Sequence, residues 1–309
     1  MRILFLSQFY WPEVRTAPTN LAAAADFLHG RGHQVQVLTG FPCHPFGRVY
    51  DGYRLRWRQW ETVGGVPILR VPLYPDHSLS AARRALNYTS FALSSASIGA
   101  WLTRRFDADV ILVYLPPLTN WLPIRALQLL QRAPVVSWMS DVWPEGLIAA
   151  GARITPWLAR SIGVLERAVY RRSRLICVNS PGTRRRVAAK GVAAEKLELL
   201  GDWADETVFF PTAPEPELAR EHGLANRFNV LYAGNLGPAQ GLDVAIEATA
   251  LLTDLADLQL VFVGDGEDEE RLKRIVEERG LTNVRFVPRR PMGEMHRYMA
   301  LADVLMMHL

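Results

Sequence analysis

The chain has 309 residues, 49% of them hydrophobic and 21% charged, which is an ordinary globular composition with length for two α/β domains. Cys43 and Cys177 lie far apart with no CxxC and no His/Cys ligand spacing. That excludes a disulfide framework or a zinc module and reads as two buried structural thiols in a reducing compartment. The net charge of +4 hides an asymmetry: 25 Lys+Arg against 15 Asp+Glu up to residue 210, then 10 against 16.

A basic half and an acidic half give the molecule a direction. The basic clusters Arg171-Arg172 and Arg184 to Arg186 lack aromatic interleaving and belong to no nucleic-acid-binding module, so phosphate-bearing substrates or an anionic membrane surface fit them better than nucleic acid.

In chain order, "RILFLSQF" reads as a buried first strand, too short for an export signal. Its following loop, "SQFYWPEVRTAPTN", leads to a helix from about Thr19 to Gly30, with Pro18 in the loop and Thr19 or Asn20 as cap. The strands "HQVQVLTG" and "PILRVPLY" precede "ALNYTSFALSSASIGAWLT" (85–103), which carries no charge and is bracketed by arginine pairs. It is too rich in Ser, Thr and Asn to span a bilayer, and reads first as an internal helix and second as one lying on a membrane surface. Then come strand "DVILVYLP", a helix near 122–131, strand "PVVSWMSD", strand "RLICVNS", a short basic helix at 181–190, and "KLELLGD". Continuous apolar strands alternating with helices predict a parallel sheet covered on both faces.

Three prolines between Phe209 and Glu217 mark a linker, so the predicted domains are 1–210 and 217–309. The second domain runs strand "NVLYAG", helix 241–252, strand "LQLVFVGDG", helix 267–279, strand "NVRFVP", helix 292–301 and strand "DVLMMHL". The predicted fold class is α/β, with two Rossmann-like doubly wound parallel-sheet domains. The second reads as incomplete and the chain as a truncated product.

Two loops carry chemistry. In "SWMSDVWPEGL" a strand ends at Ser140 and places Asp141, Trp143 and Glu145 at alternating positions. Two carboxylates flanking a tryptophan can orient sugar hydroxyls while the ring stacks on a sugar face. Equally, Asp141 and Glu145 can cap the next helix with Pro144 in its first turn. In "YAGNLGPAQGLD" a strand meets Gly234, Gly237 and Gly241 before a helix, the arrangement that cradles a phosphate, although no Lys or Arg lies between Gly234 and Gly241. In "VGDGEDEERL" the Gly264–Gly266 turn is followed by acids and reads as structural, while Pro288, Arg289 and Arg290 end a third strand where a base could rest and Arg290 could reach an anion; equally, Arg289 and Arg290 read as a solvated pair.

Together, "GRGHQVQVLTG", "SDVWPEGLIAAG", "LLGDWADETVFFP", "LYAGNLGPAQGLD", "FVGDGEDEERLKRIVEERGLTNVRFVP" and "YMALADVLMMHL" resemble retaining glycosyltransferases of family 4. These have the GT-B fold, and the resemblance is to the surface-polysaccharide branch, similar to L-fucosamine transferases. The resemblance implies transfer from a nucleotide diphosphate sugar, UDP-linked, to a lipid-linked saccharide acceptor in O-antigen, capsule or exopolysaccharide biosynthesis. It implies no metal or other cofactor, a cytoplasmic location on the inner face of the membrane, and peripheral contact with anionic lipid. The implied catalytic residues are Asp141 and Glu145, and the acceptor-binding residues Trp143 and Ser140. Donor binding falls to Arg15, Thr16, Gly234, Asn235, Gln240, Gly241, Pro288 and Arg289. Asn235 and Gln240 stand where many relatives have Arg and Lys, Pro238 where a basic residue is frequent, and Ser140 where His is common. Arg15 is then the expected source of formal charge for the diphosphate. The competing expectations are a sugar-nucleotide 2-epimerase and an inactive fragment that only binds.

Overall fold

The computed structural model describes all residues except 14–15, 79, 150–153, 253 and 309, and the side chains of 16 and 149 are also left undescribed. It divides into two compact units, Met1–Gly146 with Ile154–Asp202, and Leu147–Arg153 with Trp203–Leu309.

The first unit contains β1 (Arg2–Leu6), α1 (Thr16–Gly30), β2 (Gln34–Gly40), β3 (Gln59–Val63), β4 (Val66–Val71), α2 (Ala81–Ser94), α3 (Ala100–Thr103), β5 (Val110–Leu115), α4 (Trp121–Gln131), β6 (Val135–Met139), the first two residues of α5 (Glu145–Ala149), α6 (Pro156–Arg172), β7 (Ser173–Val178), α7 (Pro181–Ala189) and β8 (Leu197–Leu199). The strands form one sheet in the order β3-β4-β2-β1-β5-β6-β7-β8. Every pairing is parallel except β3 with β4. The order reverses between β1 and β5, so loops at the carboxyl ends of these strands open at the switch point.

Period-two alternation builds a core on each face. Leu4 and Leu6 join Leu38, Phe91, Ile111, Val113, Ile124 and Met139 on one side. Ile3 and Phe5 join Leu21, Ala25, Val37, Ile68 and Trp138 on the other.

Three expectations change here. First, α1 begins at Thr16, with Pro18 inside its first turn instead of in the loop. That turn's N–H groups have no intrahelical acceptors, so proline costs nothing there. Second, β3 is an antiparallel edge strand joined to β4 through Gly64-Gly65, both at positive φ. Third, a 17-residue helix, α6, runs directly into β7.

The uncharged segment is helical and packs one face into the first unit, with Leu86, Leu93 and Trp101 on its exposed side. α2 continues through a π-turn at Ser95–Gly99 into α3 and buries Asn87, Phe91, Ser94, Ser95, Gly99 and Thr103. Its polar groups are consumed locally. Ser95 donates to the Phe91 carbonyl at 2.6 Å, Thr103 to Gly99 at 2.9 Å and Asn87 to Tyr74 at 2.6 Å. Among the described residues no helix is long and apolar enough to cross a membrane.

The second unit contains α8 (Pro216–Glu221), β9 (Phe228–Ala233), α9 (Leu242–Ala250), β10 (Leu258–Val263), α10 (Glu269–Glu278), β11 (Val284–Val287), α11 (Met295–Met299) and β12 (Val304–Leu305). Its four parallel strands are ordered β11-β10-β9-β12, with a switch point between β9 and β12. Tyr232, Ile246, Leu260, Phe262 and Leu272 pack on one face of this sheet, and Leu231, Val261, Val263, Tyr298 and Leu301 on the other.

Candidate active site

In the first unit, β6 delivers Ser140 to the sheet's carboxyl edge. Its N–H donates to the Leu115 carbonyl at 3.2 Å and its hydroxyl reaches the same oxygen at 3.4 Å. The Gly146 N–H returns to the Val142 carbonyl at 2.7 Å, closing the loop into α5. Asp141 faces solvent and makes no hydrogen bond or ion pair among the described residues. Desolvation by nearby protein, and then the negative charge of Asp202, hold its carboxyl above the usual aspartate range.

Trp143 is half-buried against the core, with Tyr88 at a ring-centroid distance of 6.4 Å. Glu145 is paired. Lys190, just beyond α7, donates to its carboxylate at 2.8 Å, to the Trp143 carbonyl at 2.8 Å and to Glu166 of α6 at 2.7 Å. The Tyr170 hydroxyl closes the network on Glu166 at 2.7 Å. The structure therefore brings Ser140, Asp141, Trp143 and Glu145 into one loop, with Asp141 as its unengaged carboxylate.

A second cluster lies where the sheet order reverses, and the sequence reading did not single it out. Glu13, after β1, is buried and accepts the N–H groups of Cys43 and His44 at 2.8 Å each and of Tyr10 at 3.3 Å. Burial pushes its carboxyl up to about 7 against those donors. Gln8 donates to Asn87 at 2.6 Å, and the His44 and His77 rings lie 4.1 Å apart. Cys43 is buried and its thiol pushed up to about 12, chiefly by desolvation; Cys177 is only half-buried. The available signal was the second Trp-Pro-Glu, at residues 11–13.

In the second unit the glycine loop follows β9 at that sheet's switch point. Gly234 bonds the Val263 carbonyl at 3.0 Å, and Gly241 takes φ +56° immediately before α9. A Cβ on Gly264 would lie 1.9 Å from the Gly234 oxygen, and one on Gly266 2.3 Å from the Leu236 oxygen. Both glycines are thus required by backbone-to-backbone packing, the structural role expected of that turn.

Asn235 and Gln240 bond each other at 3.2 Å. The N–H groups of Asn235 and Gly237 have no partner among the described residues. Asp243 in the first turn of α9 is neutralised by Arg271 at 3.0 Å, and Arg271 also holds Asp268 at 2.6 Å. The sequence reading passed over His308, whose ring sits on Gly241 and hydrogen-bonds the Gln240 carbonyl. Pro288 and Arg289 are exposed after β11, with Arg289 3.7 Å from Asp265, while Arg290 turns its guanidinium over Tyr298 at 5.4 Å. Arg15 lies outside the described residues; Thr16 opens α1, and nothing of its side chain is described. Among the described residues no group of three His, Cys, Asp or Glu is placed to hold a metal ion.

Two family models match most of the chain, one on each side of residue 210. Residues 15–203 match the glycosyl transferase 4-like domain, and residues 215–308 the glycosyl transferases group 1 domain. The chain belongs to the glycosyl transferase 4-like family. It is 30% identical over 294 residues to WcaI of Escherichia coli K12, a colanic acid biosynthesis glycosyl transferase by name, covering 93% of this chain and 72% of that protein. It is 27% identical to a GDP-mannose-dependent alpha-mannosyltransferase of Mycolicibacterium smegmatis, over 89% of this chain and 66% of that one.

Among solved structures, Anabaena HepE in complex with UDP and glucose superposes with a TM-score of 0.66 at 17% identity, over 99% of this chain and 73% of that chain. WaaG, a glycosyltransferase involved in lipopolysaccharide biosynthesis, superposes with a TM-score of 0.63 at 18% identity, over 98% and 74%. At such identities these two establish the GT-B fold alone.

Proposed function

We propose that this glycosyltransferase moves a sugar from a UDP-linked donor to a lipid-linked saccharide acceptor in surface-polysaccharide assembly, on the cytoplasmic face of the membrane and with retained configuration. The observation that carries the reading is the glycine loop at the second switch point. The N–H groups of Asn235 and Gly237, without a partner among the described residues, and the start of α9 supply positioned donors for a leaving diphosphate. Pairing with Arg271 removes the repulsion that Asp243 would otherwise exert there. Gln240, Pro288 and Arg289 complete the donor side of this unit on this reading. No metal takes part.

On the acceptor side, Asp141 orients the attacking hydroxyl, its raised pKa suiting it to share that proton. Ser140 and Trp143 shape the loop, and Glu145 holds it through Lys190. The WcaI relationship supports polysaccharide assembly. A GDP-linked donor is the second reading, favoured by the GDP-mannose dependence of two relatives at 27% and 24% identity.

Calorimetry with UDP and GDP separates the two donors, and binding of neither overturns both. Incubation with the donor sugar nucleotide and a bacterial lipid extract, followed by mass spectrometry, then tests transfer. Asp141→Asn is expected to lower turnover about 100-fold or more while nucleotide affinity stays unchanged. Release of an epimerised sugar nucleotide without acceptor would instead establish the epimerase.

A further inference from the structure

Residues 54–60, "RLRWRQW", alternate cations with large apolar groups. Arg54, Arg56 and Arg58 are exposed and form no ion pair among the described residues, and interleaved with them Leu55, Trp57 and Trp60 are 47%, 56% and 45% exposed. This is the aromatic interleaving that the basic clusters at 171–172 and 184–186 lack.

The segment is anchored at both ends by one buried side chain. Arg70, fully buried in β4, donates to Glu61 of β3 at 2.6 Å, to the Gly40 carbonyl at 3.0 Å and to the Trp11 carbonyl, and its guanidinium lies 5.0 Å from the Tyr53 ring. After Tyr53 the chain is exposed from Arg54 to Arg58 and has no helix or strand until β3 begins at Gln59. Burying a guanidinium is costly unless every donor is matched, and here it fixes where the exposed stretch starts and stops.

We propose that residues 54–60 form an insertion edge that seats the protein on an anionic lipid surface, Trp57, Trp60 and Leu55 entering the interface while the three arginines meet phosphate headgroups. Trp, Leu and Arg in alternation is the composition of the bilayer interface, where indoles settle at headgroup depth and cations gain from the negative leaflet potential. A single-stranded nucleic acid would require free stacking faces. Arg58 already covers the Trp57 ring at 4.3 Å, and Leu55 offers none. The assignment rests on the membrane-side reading above but moves the contact from the 85–103 helix to the edge of the sheet.

Co-sedimentation of the full chain with phosphatidylglycerol/phosphatidylcholine vesicles, with pure phosphatidylcholine vesicles and with a dT20 oligonucleotide tests it. Binding is expected only to the anionic vesicles, falling steeply with salt. Arg54→Gln/Arg56→Gln/Arg58→Gln is expected to lower partitioning about 100-fold, and Trp57→Ala/Trp60→Ala at least tenfold. All five positions are exposed, so both variants should keep the wild-type far-UV spectrum and UDP affinity. Leu93→Ser/Trp101→Ser, on the exposed side of the long helix, should leave partitioning within twofold. Unchanged partitioning in the first two variants, a loss confined to the third, or capture of dT20 in place of vesicles would each overturn the proposal. UDP binding that survives without vesicle binding leaves the transferase reading intact and sinks only this one.

Discussion

Residues 11–13 and 143–145 spell the same tripeptide, Trp-Pro-Glu, each with a cis Trp–Pro bond and each in a loop leaving the carboxyl end of a parallel strand. Their glutamates have opposite fates. Glu13 is 4% exposed, has three backbone donors and is pushed up to about 7 by burial. The Glu145 side chain is 51% exposed, and Lys190 holds its carboxyl below the usual range although desolvation acts the other way. Identical local sequence therefore yields an internal strut at one strand end and a surface tether at the other. The neighbours decide: backbone amides of the loop after β2 in the first case, one lysine beyond α7 in the second.

The comparison breaks most easily at Lys190. Removing its ammonium strands Glu166, which is 1% exposed and keeps only Tyr170 among the described residues. Lys190→Met is expected to cost about 3–5 kcal/mol in urea unfolding followed by tryptophan fluorescence. The loss should be smaller at pH 5 than at pH 8, because the stranded carboxyl can then take up a proton. The double variant Lys190→Met/Glu166→Gln should recover part of it. A single-variant loss under about 1 kcal/mol would mean that the tether carries no weight.

A smaller effect sharpens the other side. The native Glu13 carboxyl holds its proton more tightly than the unfolded one, so it contributes stability at acid pH that is lost as pH rises from about 4.5 to about 7. Glu13→Gln has no such titration. The stability of wild type relative to this variant should fall by about 3 kcal/mol between pH 4 and pH 8, read from urea midpoints at each pH. A flat difference would show that the backbone donors, not burial, set the state of Glu13.

What the sequence made legible follows from range. β1, β5, β6, β9 and β10 are apolar runs with at most one polar residue each, so their burial is written in their composition, while β2 alternates Gln with Val before Leu38; the parallel α/β class follows from the alternation of these strands with helices. β3 was missed because an edge strand is half-exposed and reads Gln-Trp-Glu-Thr-Val, even though Gly64-Gly65 signalled the hairpin. α6 was missed although Thr155-Pro156 marks its start. The loops bearing Asp141 and the glycines were visible because strand-to-turn transitions are local. The partners of Glu13 and Glu145 lie about 30 and 45 positions away, and no periodicity announces them.

The smallest expected change is the most discriminating. Glu145→Gln removes one exposed ion pair but leaves Lys190 bonded to the Trp143 carbonyl and to Glu166. Exposed pairs contribute little, so stability should move by less than about 1 kcal/mol. If Glu145 serves only to hold its loop, turnover should fall less than about tenfold, far short of the loss expected for Asp141→Asn. Glu145→Lys, which sets a second ammonium against Lys190, should instead push the loop out and lower turnover much further while Glu166 still buries its charge against Lys190. Equal losses in Glu145→Gln and Asp141→Asn would place both carboxylates on the substrate. The contrast between the two Trp-Pro-Glu loops would then be one of catalysis against structure, not of two kinds of support.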